Sequence, residues 1–216
     1  YFRKLVKMRH QRYLTPSILR LIEIHGARGE HALIAEPFRV YQEATGGRIP
    51  EQVNYIYGKT MLLDGDYPGA RKRLAGPAGS GAFRHRGLYS IGVSFALEGD
   101  LKKAAEVFTS MLKLEPLTPA EKELRELTHL ARGRVYYELG DIDRSIDAYQ
   151  AIGHRSEYFD DMLFEITWAY VKRAEKSVRE EDRRSEYLRA VRALEILLVS
   201  NPRSDIAPKG KVLLGN

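Results

Sequence analysis

The chain has 216 residues, 44% apolar and 30% charged, enough to bury a continuous core. It contains no cysteine, which excludes disulfides, thiolate metal sites and a cysteine nucleophile. No stretch approaches the roughly 18 apolar residues that a membrane-spanning helix requires. The net charge of +6 is concentrated, because residues 1–20 carry Arg3, Lys4, Lys7, Arg9, Arg12 and Arg20 with no acid while the rest of the chain is balanced.

Apolar periodicity and breaker residues predict helices near 1–14, 16–26, 30–45, 50–64, 67–75, 84–98, 101–115, 119–139, 142–152, 157–178, 184–200 and 204–216. No run alternates in the manner of a strand. Pro37 is expected in or near a helix, with a kink as its effect. Gly76-Pro77-Ala78-Gly79-Ser80-Gly81 reads as a loop between helices. Its glycines suit a phosphate cradle, but the strand before it and the Lys-Ser/Thr after it are missing, so a connecting loop is the better reading. The charged run from Lys172 to Glu186 reads as a solvated corner between lengthened helices.

Three corners recur: Gly65-Asp66, Gly99-Asp100 and Gly140-Asp141. Gly ends a helix in the left-handed conformation and Asp caps the next one. The first two corners are 34 residues apart and the third follows after 41. The extra residues fit a longer helix start around Leu117 to Leu130, where Thr118-Pro119 with Glu121 and Glu123 is a good opening. Before each corner a small residue sits on the apolar stripe, at Gly58, Gly92 and Gly133. After it come Ala70, Ala104 or Ser145, and then Phe108 or Tyr149. Thr167 falls 34 residues past Gly133 and opens a fourth copy, and Ser204 to Asn216 reads as a fifth, cut short.

These residues resemble the tetratricopeptide repeat family over roughly Glu51 to Asn216, and a period of 34 residues is that of its stacked helix pairs. The resemblance implies an all-α, right-handed superhelical solenoid of antiparallel helix pairs. It divides the chain into N-terminal helices over 1–50, basic and atypical in the manner of a capping repeat, and repeats over 51–216. Leu74, Pro77 and Ser145 depart from the family pattern. The phrases Ser156 to Asp161 leading to Trp168-Ala169-Tyr170, and Asn201 to Pro208, look like long-helix bacterial versions of the repeat. They point to a bacterial cell envelope, with the cytoplasm as the alternative. Tyr1 lies inside a helical pattern and the last residues lie inside a repeat, which reads as a piece of a longer protein.

Chemistry finds little support. Gly58-Lys59-Thr60 lacks the earlier glycine of a phosphate-binding loop, and its context is helical. The six histidines show no metal-ligand spacing, and the carboxylate pairs fall at helix starts or corners. No catalytic residue, cofactor or metal is expected. In the resembled family, the face of each first helix opposite the core stripe docks peptides or helices. Here that face carries Tyr55, Lys59, Arg86, Tyr89, Val93, Arg134, Tyr137, Phe164 and Trp168. Tyr, Trp and Arg are the types that anchor interfaces, although lengthened repeats also bury such residues between helices.

The expectation is a non-enzymatic scaffold that binds a peptide or helix of another protein, with a homo-oligomer as a further arrangement. The alternative rests on the basic patch Arg3, Lys4, Lys7, Arg9 and Arg12 meeting nucleic acid or an anionic membrane.

Overall fold

The computed structural model describes residues 11–215. Among them every regular element is helical: α1 (Gln11–Ala27), a 3-10 turn at His31–Leu33, α2 (Ala35–Ala44), α3 (Glu51–Leu63), α4 (Tyr67–Gly79), α5 (Arg84–Glu98), α6 (Leu101–Leu112), α7 (Pro119–Glu138), α8 (Ile142–Gln150), α9 (Phe159–Lys176), α10 (Glu180–Ser200) and α11 (Ala207–Leu214). Backbone contacts divide the chain into two compact units, one ending at Gly99 and the other beginning at Asp100.

The three Gly-Asp corners are built alike. Gly65, Gly99 and Gly140 hold φ of 84°, 89° and 77°, where a Cβ would be strained. The Asp66, Asp100 and Asp141 carboxylates accept from the backbone N–H groups of Gly69, Lys103 and Arg144 at 2.9, 3.3 and 3.2 Å. At the first and third corners, the Asp N–H returns to a carbonyl five residues back, Met61 and Tyr136, at 2.9 Å. That contact satisfies a carbonyl the helix end would leave unpaired. Thr118 and Glu121 start α7 with a reciprocal capping box.

In the first unit, consecutive helices pack pairwise, and α3 also meets α1 and α5. Ile18, Ile22, Ile34, Phe38, Tyr41 and Val53 form one buried cluster, and Leu62, Ala70 and Leu74 a second. Phe38 and Tyr57 stack at 4.0 Å, and the Arg73 guanidinium lies over both rings. In the second unit α6 to α11 also pack in sequence, around a core that includes Leu130, Ile146, Tyr149, Ile166, Tyr170 and Leu197.

Small residues set the approach distances. A Cβ on Gly58 would stand 2.7 Å from Leu74 Cγ, and one on Gly133 would stand 2.5 Å from the Tyr149 ring. Ser145, which departs from the repeat pattern, is fully buried, and its hydroxyl donates to the Gly133 carbonyl at 2.9 Å. The hydroxyl is therefore satisfied at the point where two helices touch.

Some boundaries differ from expectation. A single helix, α1, runs through Pro16, whose side chain is exposed while Ile18, Leu21 and Ile22 are buried. Continuous burial on one side outweighs the lost hydrogen bond on the other. Pro37 lies in the first turn of α2, where its missing N–H has no helical partner to lose. The expected loop from Gly76 is helical as far as Gly79, with Pro77 and Ala78 buried. Gly87 explains this: a Cβ there would lie 2.7 Å from the Ala78 backbone nitrogen, so α5 seats directly on the end of α4. The corner in the charged run is short, with Val178 95% exposed between α9 and α10.

Candidate partner-binding faces

Of the basic N-terminal set, Arg3, Lys4, Lys7 and Arg9 lie outside the described residues, and Arg12 enters them only as α1 backbone. The remaining site residues fall into two groups, one per unit.

In the first unit α3 presents Tyr55 and Lys59, and α5 presents Arg86, Tyr89 and Val93. Tyr55 and Val93 are half-buried against the cluster of Leu62, Ala70 and Leu74. The Tyr55 ring meets Phe83 at 5.4 Å. Tyr89 is half-buried, and Lys59 and Arg86 are exposed. Tyr55 and Val93 thus share one apolar patch, and Lys59 and Arg86 are solvated cations on the same two helices.

In the second unit α7 presents Arg134 and Tyr137, and α9 presents Phe164 and Trp168. Phe164 packs partly buried against the core. Arg134, Tyr137 and Trp168 line one open cleft of about 200 Å³ with Glu138, Tyr149 and Glu165. Trp168 is 41% exposed. Arg134 donates through Nε to both Glu165 carboxylate oxygens, at 2.8 and 3.0 Å, and through a terminal nitrogen at 2.5 Å. The Tyr149 hydroxyl donates to the same carboxylate at 3.1 Å. Hydrogen bonding to Glu165 raises the Arg134 pKa, and burial, reinforced by the Glu165 charge, pushes the Tyr149 phenol well up. Both groups therefore keep their protons, and the network is a fixed wall. Beside the cleft Lys172 lies over the Tyr137 ring, with Nζ 4.5 Å from the centroid.

Three members of this cleft escape a reading of exposed aromatic positions. Glu165 is an acid 31 residues from its partner Arg134, Tyr149 reads as core, and Glu138 reads as ordinary surface. The available signal is register: Gly133 and Thr167 align at the repeat period, so Arg134 faces the helix turn that holds Glu165 and Trp168.

Two further polar features lie outside the cleft. Arg173 joins Asp143 on α8 to Glu186 on α10, at 3.2 and 2.7 Å. His129 is held near a pKa of about 4, first by burial and then by Arg132 and Arg125. Among the described residues no group of three or more His, Asp or Glu gathers in a way that could hold a metal ion, and no helix is long and apolar enough to cross a membrane.

Residues 129–155, which run from α7 through the Gly140-Asp141 corner to α8, match the family model of the tetratricopeptide repeat. No curated protein matches the chain. Among solved structures it is similar to the MamA protein, with a TM-score of 0.63 and 16% identity over 85% of this chain and 93% of the other. It is also similar to a putative kinesin light chain with nearly identical TPR-like repeats from Podospora anserina, with a TM-score of 0.60 and 10% identity over 90% of this chain and 98% of the other. At these identities the likeness is one of fold, the all-α stack of helix pairs. Proteins built of such repeats generally bind other proteins.

Proposed function

We propose that this chain, a protein of tetratricopeptide repeats, is a non-enzymatic scaffold of a multiprotein complex. It holds a peptide or helix segment of another protein on the exposed faces of its first helices. The observation that carries this reading is the second unit's cleft, where a half-exposed tryptophan stands beside a bidentate ion pair. A large aromatic on a fixed wall loses little side-chain freedom on binding, and such residues dominate interface energies. The apolar patch of Tyr55 and Val93 in the first unit offers a second contact of the same kind.

Affinity capture from native lysate tests the reading, comparing the wild type with Trp168→Ala and with Arg192→Ala, an exposed residue on the outer side of α10. The expected result is a protein partner retained by the wild type and Arg192→Ala and lost with Trp168→Ala, with circular dichroism unchanged throughout. Capture that survives Trp168→Ala and fades with salt instead counts against the cleft and favours a charge-driven contact.

A further inference from the structure

We infer that the cleft around Trp168 receives a cationic side chain, an arginine or lysine on the docked segment of a partner protein. The inference rests on the scaffold reading above and narrows the chemistry of its ligand.

The cations in and beside the cleft are already engaged. Arg134 is gripped by Glu165 through both carboxylate oxygens. Lys172 lies over the Tyr137 ring at 4.5 Å. That second contact shows within the molecule what the cleft does to a cation: it seats the charge on an aromatic face. Trp168 presents the larger and more electron-rich ring, is 41% exposed, and has no cation over it among the described residues. The position for a second charge is open.

One carboxylate of the cleft is not engaged. Glu138 lines it and enters no ion pair among the described residues. Glu165 is neutralised by Arg134, and Asp161, one turn earlier on α9, acts on the same guanidinium. An incoming anion would meet the Glu138 carboxylate and occupied cations. An incoming guanidinium or ammonium meets an aromatic face and the charge of Glu138. Each such contact at a partly exposed site is worth about two- to fivefold in affinity, so a segment with two spaced cations gains from both the ring and Glu138.

Trp168 is the chain's single tryptophan, so its emission reports the occupancy of this cleft alone. The test titrates the whole chain with three capped pentapeptides, Ala-Arg-Ala-Arg-Ala and its counterparts with Glu or Ala in place of Arg. The expected result is a saturable change in Trp168 emission with the Arg peptide and none with the Glu peptide. The variant Glu138→Gln, with unchanged circular dichroism, should bind the Arg peptide about two- to fivefold more weakly. Saturation by the Glu or Ala peptide at equal or lower concentration overturns the cationic assignment and leaves the scaffold reading standing. So does an Arg-peptide response that Glu138→Gln does not weaken. Silence toward all three peptides also overturns it, while the scaffold reading is judged separately by whether Trp168→Ala loses the captured partner.

Discussion

Glycine plays two unlike parts in this chain, and single substitutions separate them. Gly87 is where α5 touches the α4 backbone, and an added Cβ would sit 2.7 Å from Ala78 N with no flexible side chain to give way. Gly79, at the end of α4, has nothing within 4 Å of the same position. Gly87→Ala should therefore lower stability by about 1–3 kcal/mol, whereas Gly79→Ala should leave it unchanged or raise it by up to about 1 kcal/mol. Urea denaturation midpoints of the two variants check this. His129 gives a second residue-scale test. Its value is about 4 in the folded chain against 6.5 ordinarily, so the unfolded chain accepts a proton that the folded one resists. The contribution is full above about pH 6.5, shrinks as pH falls toward 4, and levels off once both states are protonated. Comparing unfolding free energies of the wild type and His129→Gln between pH 6.5 and 5 should show a shallower decline in the variant. Parallel curves would mean that His129 ionises as freely in the fold as outside it.

At the scale of elements, the helix pairs are set by local chemistry at their corners. Each Asp cap accepts one backbone N–H that water would otherwise have to serve. Asp66→Ala, Asp100→Ala and Asp141→Ala should each cost about 1 kcal/mol, and the three losses should add because each Asp caps a different helix. Thermal melts of the single and triple variants measure both the size and the additivity. These corners were legible in the sequence because a Gly-Asp pair and its helix carry their whole explanation within a few residues. The end of α4 was not, because Gly76 to Gly79 has the composition of a loop and is helical only through its contact with α5. Pro16 misled in the same way, since only the burial of Ile18 and Ile22 shows which side of α1 can spare a hydrogen bond. For the cleft, periodicity located Arg134, Tyr137 and Trp168 on one face. The repeat register sets Arg134 against the turn of Glu165, but the ion pair itself and the Tyr149 hydroxyl bond follow from the distance between α7 and α9.

For the molecule as a whole, the two units offer faces of different chemistry. The first has an apolar patch with the solvated Lys59 and Arg86 on the same helices, and the second has a cleft with aromatic walls and one spare carboxylate, Glu138. A scaffold of helix pairs works by offering a preformed surface, so its partner should follow the surface and not the net charge of the chain. The most direct measurement is site-specific photo-crosslinking in native lysate, with a benzoylphenylalanine in place of Phe164, one turn from Trp168 on α9, or at position 192 on α10. The account predicts a discrete protein adduct at 164 that Trp168→Ala abolishes, and none at 192. Adducts at 192 alone, or an adduct at 164 indifferent to Trp168→Ala, would contradict it.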